Sequence, residues 1–274
     1  MSNFSKIKKI YTIKENIKKQ TPLLILSDGK IALSSCLRQI LIINAKSYQI
    51  EITLEGHHTH ISYLSQLENE KLLSCSYDKS IQILTLNHTT HCEFKIIKAH
   101  DKQIYKNIPP SNERMASYSK DETIKIWNSN NPYNLLTTLN GHSYSVISII
   151  EIRKKGILLS SSIDNKLIIW SLTTYQRITE INGKICLSQN SMISIDDDMI
   201  IIGRYNTVLC FNSFTGMNEQ THTDSQFGNV YSILELRNGN IITGNEEGIA
   251  CIYNISSNII KDSNTLYKES ISCL

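Results

Sequence analysis

Three stretches decide the fold: Leu72-Leu-Ser-Cys-Ser-Tyr-Asp78-Lys-Ser-Ile-Gln-Ile-Leu84, Met115-Ala-Ser-Tyr-Ser-Lys-Asp121-Glu-Thr-Ile-Lys-Ile-Trp127 and Leu158-Leu-Ser-Ser-Ser-Ile-Asp164-Asn-Lys-Leu-Ile-Ile-Trp170. They align without gaps, and Asp78, Asp121 and Asp164 stand 43 residues apart. A histidine precedes each stretch, His57, His100 and His142, four residues ahead of an apolar residue (Ile61, Ile104, Val146). A fixed period of this length marks a chain built from repeated supersecondary units. The period continues in degraded form outward. Phe211 and Tyr253 stand where Trp170 stood, and Ile31–Ile43 repeats the pattern upstream. Six repeats are visible, over about residues 22–266.

Within each repeat, Ile, Val, Tyr and Thr alternate with polar residues for four to six positions. Turn-forming clusters then interrupt, as at Ser27-Asp-Gly-Lys30, Pro109-Pro-Ser-Asn112, Lys154-Lys-Gly156, Asp196-Asp-Asp198 and Asn238-Gly-Asn240. Four short strands fit each period, and no window keeps a helical stripe for three turns. The chain is predicted to be all-β. Many short antiparallel units of this kind are best closed radially, which leaves few exposed edges.

The bulk composition excludes several classes. Of 274 residues 41% are apolar, and 28 Lys and Arg against 25 Asp and Glu leave a net charge of only +3. That balance argues against a dedicated nucleic-acid binder. No apolar run approaches the length of a membrane helix, and the Lys-rich start has no apolar core of a secretory signal. Seven cysteines with no C-x-x-C spacing read as reduced, buried thiols. The expected compartment is the cytoplasm, with the nucleus as the alternative.

The Gly-His pairs (Gly56-His57, Gly141-His142), the Ala-His variant (Ala99-His100), the recurring Asp and the closing Trp127 and Trp170 resemble the WD40-repeat family. The match is specific in three repeats. The first, fifth and sixth lack the His and the Asp, and Leu84 replaces the Trp of the second. The resemblance implies a WD40-like β-propeller of four-stranded antiparallel blades, six repeats visible plus a partial seventh. Ile271-Ser-Cys-Leu274 copies the start of an innermost strand, and Lys9–Lys14 reads as an outermost one. Either six blades close with a loose tail or the chain derives from a seven-bladed design. The expected organisation is a Lys-rich segment at 1–21, the propeller repeats at 22–266, and a further inner strand or tail at 267–274.

Ser, His and Asp recur together as His57/Ser74/Asp78, His100/Ser117/Asp121 and His142/Ser160/Asp164. One nucleophilic site needs one triad, whereas this set occurs three times. The resemblance implies a structural chain in which Trp127 bonds Ser117, Ser117 bonds His100 and His100 bonds Asp121, repeated by Trp170, Ser160, His142 and Asp164. No catalytic residue, metal ligand or cofactor is therefore assigned. His57-His-Thr-His60 and His88-Thr-Thr-His91-Cys92 lack a second ligand pair at zinc spacing, and the 196–198 run lacks the Gly and distal Glu of a calcium loop. Ser119-Lys-Asp121 with Trp127 lacks the Gly of a sialidase Asp-box, and its Trp falls three residues late.

In an up-and-down blade, the loop before the first strand and the turn between the second and third share one end. That end is expected to bind partners through Tyr77, Lys120, Tyr144, Ile163, Arg204, Tyr205 and Phe227, because Tyr and Arg favour binding hot spots and exposed Ile163 has no folding role. The opposite end, with Lys71, Arg114, Arg153, Lys154, Lys155 and Arg237 against Glu68, Glu70 and Asp196–Asp198, reads as a mixed-charge solvated surface. The function expected is a non-enzymatic scaffold for protein or peptide partners in a multiprotein complex, with no small-molecule substrate. The alternatives are a reader of nucleic acid or anionic surfaces through the Lys-rich N-terminus, or a propeller hydrolase.

Overall fold

The computed structural model describes residues 22–35, 37–67, 71–85, 93–108, 114–130, 133–183, 188, 191–195, 199–204, 207–212, 218–223, 229–245, 248–254 and 261–265. Among these residues the chain forms six four-stranded antiparallel sheets, each with its strands in sequence order. Sheet 1 holds β1 (Leu23–Ile25), β2 (Ile31–Ser34), β3 (Ile40–Ile43) and β4 (Ile50–Leu54), and sheet 2 holds β5 (Ile61–Gln66), β6 (Leu72–Ser76), β7 (Ser80–Thr85) and β8 (Glu93–Lys98). Sheet 3 holds β9 (Ile104–Ile108), β10 (Arg114–Ser119), β11 (Ile124–Asn128) and β12 (Leu135–Leu139), and sheet 4 holds β13 (Val146–Ile152), β14 (Ile157–Ser162), β15 (Lys166–Ser171) and β16 (Arg177–Asn182). Sheet 5 holds β17 (Met192–Ile195), β18 (Met199–Arg204), β19 (Thr207–Asn212) and β20 (Asn218–Thr223), and sheet 6 holds β21 (Val230–Glu235), β22 (Ile241–Asn245), β23 (Ala250–Asn254) and β24 (Lys261–Thr265). Each visible repeat thus yields one sheet of the kind that makes a propeller blade. The segments 1–21 and 267–274, together with Asp196–Asp198, Glu68 and Glu70, lie outside the described residues.

The chain divides into two compact units, residues 1–100 with sheets 1 and 2 and residues 101–274 with sheets 3 to 6. Within each unit, consecutive sheets stack face to face. Sheet 4 shows why its strands read as continuous apolar runs. Leu158, Ile168 and Trp170 face sheet 3, where they meet Ala116, Tyr118 and Ile126, while Leu159, Leu167 and Ile169 face Met192, Ile200 and Ile202 of sheet 5. Both faces are covered, so both registers of the alternation are apolar. The same logic packs Ile40, Ile42 and Leu54 against Ile61, Leu72 and Leu84 in the first unit.

A bulge between the third and fourth strands recurs at the same place in five sheets, at Ile42/Ile43, Ile126/Trp127, Ile169/Trp170, Cys210/Phe211 and Ile252/Asn254. It sits at the position of the Trp and increases the local twist there. Sheet 2 is the exception, where Leu84 takes that position and the β7–β8 register runs unbroken from Ser80↔Lys98 to Thr85↔Glu93.

Lys154-Lys-Gly156 belongs to a single 3-10 turn, Arg153–Lys155, closed by Gly156 at φ 61. The inner turns place Lys79, Glu122 and Asn165 at φ 72, 74 and 62, immediately after the recurring Asp. Asn tolerates this left-handed conformation, whereas Lys and Glu carry a steric cost there. Lys79→Gly is therefore expected to raise the unfolding free energy of the protein by about 0.5–1 kcal/mol, read as an increased midpoint in urea denaturation; an unchanged or lowered midpoint would show that the turn holds no such strain.

Candidate functional site

The recurring Asp organises one end of each of the three matching sheets. In sheet 4 Asp164 Oδ1 accepts the Lys166 N–H at 2.9 Å, closing the β14–β15 turn, while Oδ2 accepts the Ser143 N–H at 3.0 Å from the loop before β13. The same oxygen lies 2.9 Å from His142 Nδ1. Asp78 repeats this with Ser80 N at 3.0 Å, His58 N at 2.9 Å and His57 Nδ1 at 2.9 Å. Asp121 repeats the backbone part, with Thr123 N at 3.1 Å and Asp101 N at 3.0 Å. One carboxylate therefore ties two loops that are some twenty residues apart in sequence.

The imidazole extends the tie inward. His142 Nε2 lies 2.7 Å from Ser160 Oγ, and Trp170 Nε1 donates to that Oγ at 2.8 Å. His57 Nε2 lies 2.8 Å from Ser74 Oγ, but Leu84 supplies no indole donor. In sheet 3 Trp127 Nε1 donates to Ser117 Oγ at 2.9 Å, and His100 is buried. The direction of the sheet 4 chain follows from valence. Indole N–H donates to Ser160, the hydroxyl donates to Nε2 of a neutral imidazole, and Nδ1–H donates to the carboxylate. Burial pushes the His142 imidazole down against the opposing pull of Asp164, which keeps it in that neutral form. Burial pushes the Asp78 carboxyl up, yet the bonds from His57, Ser80 and the His58 N–H outweigh it and hold the carboxyl well below the usual carboxylate range. At Asp164 burial is likewise outweighed, by the Ser143 N–H and by His142, and the carboxyl is lowered.

A further set of residues belongs to this frame although sequence reasoning passed over it. Ser76, Ser119 and Ser162 stand two residues before each Asp and accept its N–H at 3.1, 3.1 and 3.2 Å. Ser119 donates to Gln103 O at 2.7 Å, and Ser162 donates to Tyr144 O at 2.9 Å. Each hydroxyl thus fastens the inner turn to the loop before the innermost strand. The signal was the S-x-D spacing, present in all three repeats.

The glycines of the Gly-His pairs allow close approach. A Cβ at Gly141 would stand 2.9 Å from the Trp170 ring, and one at Gly56 would stand 2.7 Å from the Gln82 amide.

This frame presents an outer surface. Tyr144 is 61% exposed and Ile163 42% exposed, and the Ile163 N–H donates to Ser145 O at 3.1 Å, so the two apolar side chains stand on adjoining loops. Lys120 is exposed on the corresponding turn of sheet 3, its N–H donating to Gln103 O at 2.9 Å. Tyr77 is only half-buried and packs edge-on against His60, ring centroids 5.2 Å apart. Arg204 ends β18, its side chain outside the described residues, as are Tyr205 and Phe227 entirely. At the opposite end Arg114 departs from the expected solvated surface. It is half-buried, donates to Leu172 O at 2.6 Å, and lies 5.5 Å from the Tyr175 ring centroid. A guanidinium is weakly hydrated, so Arg114 can be half-buried against the ring at little cost.

Among the described residues no three His, Cys, Asp or Glu side chains are grouped to hold a metal ion, and His88, His91 and Cys92 lie outside them. Cys75, Cys210 and Cys251 are buried thiols, and burial pushes the Cys75 thiol far up. No helix among the described residues is long and apolar enough to cross a membrane.

The family model "WD domain, G-beta repeat" matches residues 48–83, 92–128 and 133–171. The chain is similar to nuclear distribution protein nudF of Aspergillus flavus, 38% identical over 66 residues covering 24% of this chain and 14% of that protein. It is similar to nuclear distribution protein nudF 1 of Talaromyces marneffei, 41% identical over 69 residues covering 25% of this chain and 15% of the relative. The transcriptional corepressor LEUNIG_HOMOLOG of Arabidopsis thaliana is 24% identical over 149 residues, covering 54% of this chain and 19% of the relative. The chain thus spans less than a fifth of the length of these curated relatives.

Two measurements check the electrostatic frame. His142 has a lowered pKa in the fold, so the unfolded chain binds more protons below its ordinary value of 6.5, and stability falls as pH drops from there. Asp78 and Asp164, lowered from 3.8, hold their contribution above that value and lose it as pH falls further. Urea midpoints are expected to be flat at pH 7–8 and to decline in these two stages; stability that rises on acidification to pH 5 contradicts the assignment. Trp170→Phe keeps an aromatic side chain of smaller volume and deletes the donor to Ser160. It is expected to cost about 1–3 kcal/mol in the same assay, and a loss within error of zero would remove the indole from the chain of bonds.

Proposed function

We propose that this chain, which belongs to the WD40-repeat family, is a non-enzymatic scaffold that docks a protein or peptide partner on the end of its sheets where the Asp-held loops meet. The observation that supports this most is the adjoining pair Tyr144 and Ile163, exposed on loops whose backbones are fixed from beneath by Asp164 and Ser162. An apolar side chain at a solvent-facing turn gains nothing for folding, while a large aromatic with a polar tip beside it suits a binding hot spot. Lys120 adds a cation on the neighbouring sheet, which favours a partner bearing an acidic group next to an apolar anchor. The His57/Ser74/Asp78 and His142/Ser160/Asp164 sets are bonded among themselves in holding loops together, and a nucleophilic role would require breaking those bonds. The similarity to a nuclear distribution protein and to a transcriptional corepressor is in keeping with a role in the cytoplasm or the nucleus.

The test is affinity capture with the wild-type chain and with Tyr144→Ala/Ile163→Ala, both verified as folded by thermal melts. Captured proteins are identified and the leading one is titrated as a purified component. The double variant is expected to weaken that complex at least tenfold, which is the loss of about 1.4 kcal/mol or more. An unchanged affinity would move the binding surface elsewhere on the chain.

A further inference from the structure

The fourth strand of each sheet is an edge, and an edge strand exposes a row of unpaired N–H and C=O groups that can template another strand. Charged side chains usually guard such rows. The strands β4, β8, β16, β20 and β24 each include at least one charged residue, such as Glu51 or Arg177. The strand β12, Leu135-Leu-Thr-Thr-Leu139, includes none. It pairs with β11 on one side, from Ile124↔Leu139 to Trp127↔Leu135, and among the described residues no strand pairs with its other side. Leu135 is 43% exposed and Leu136 41% exposed, one on each face of the strand.

The sequence around β12 is nearly a palindrome. Residues 134–140 are Asn-Leu-Leu-Thr-Thr-Leu-Asn. Two such strands, set antiparallel about a two-fold axis at Thr137, bring Asn134 opposite Asn140, Leu135 opposite Leu139, Leu136 opposite Thr138 and Thr137 opposite itself. Thr–Thr and apolar cross-strand pairs stabilise antiparallel sheets, and opposed amides can donate to and accept from one another. No like charges meet, since the segment holds none. On the Leu139 side a groove of about 520 Å³ lies between β12 and the turn that joins β15 to β16. Its lining is uncharged apart from Arg177, whose Nη1 donates to Glu180 Oε2 at 2.6 Å. An added strand in this register places its Leu135 beside Leu139 at the groove, where the side chain has room and meets no unpaired charge.

We propose that β12 is a self-association edge, on which β12 of a second copy of this chain pairs antiparallel about Thr137 and joins sheet 3 of the two protomers into one continuous sheet. The near-palindrome favours a second copy over an unrelated peptide, because an unrelated partner imposes no such symmetry on the strand. A two-fold contact uses the same patch on both copies, so it closes as a dimer and leaves no edge from which to propagate. The surface goes beyond the docking end assigned above and shares no residue with it, so each dimer carries that end twice.

Sedimentation velocity on the full chain, over a dilution series reaching about 500 µM, reads the association directly, and a reversible monomer–dimer equilibrium with a Kd below about 1 mM is expected. Thr137→Lys and Thr137→Glu, each verified as folded by thermal melts, set like charges against one another at the axis. Each is expected to weaken the dimer at least tenfold. Mixing the two variants sets Lys against Glu and is expected to restore a dimer, a recovery that a contact elsewhere on the chain would not give. Should the Thr137 variants fail to fold, Leu136→Lys, at an exposed position, carries the test and is expected to weaken the dimer at least tenfold. Tyr144→Ala/Ile163→Ala is expected to leave the dimer unchanged, which separates this edge from the docking end. A chain that stays monomeric throughout, a dimer that survives Thr137→Lys or Leu136→Lys, or a mixture of the folded Lys and Glu variants that stays monomeric overturns the proposal.

Discussion

A buried carboxylate is costly unless its oxygens are saturated with donors, and in this protein that demand is what shapes the repeat. Asp78, Asp121 and Asp164 each satisfy one oxygen inside the inner turn and the other from a loop about twenty residues upstream. Take the carboxylate away and two backbone N–H groups lose their acceptor together, so the turn and the loop would both be released. The serine two residues before each Asp reinforces the same junction from the other side of the turn. The His and Trp bonds then carry the junction into the apolar interior, where Trp170 meets the sheet 3 side of the core.

The consequence for function is a rigid base beneath variable side chains. Tyr144 and Ile163 change nothing in the frame below them, because the bonds that hold their loops are made by backbone groups and by Asp164 and Ser162. The opposite end of the same two sheets is built differently. There a small cleft is lined by Met115, Ala116, Ile126 and Leu158, with half-buried Arg114 and Glu151 as its charged residues. One end therefore presents Tyr144 and Ile163 outward, and the other holds a recess.

Much of the fold was legible because its determinants are local or periodic. The 43-residue spacing of the three aspartates, the alternating apolar residues and the turn clusters place six four-stranded sheets before any contact is known. The site was legible in part. The His, Ser, Asp and Trp positions stand out by recurrence, while Ser76, Ser119 and Ser162 were hidden because serine is common and its role depends on which carbonyl lies across the turn. Arg114 was misread as a surface charge, since nothing near it in the chain reveals Leu172 O or the Tyr175 ring, 58 and 61 residues away.

What the sequence alone determined is the unit: four strands, their order, the turn that needs an Asp, and the apolar alternation that commits both faces to burial. These follow from backbone geometry and from residue types at short range. The tertiary structure decided which side chains remain outside once the faces are covered. Tyr77 turns onto His60 while Tyr144 stays exposed, and the sheet 3–sheet 4 contact opens a cleft between Ala116 and Leu158. Exposure and cavity shape are set by the residual mismatch between packed surfaces, a quantity that depends on neighbours brought together from distant parts of the chain.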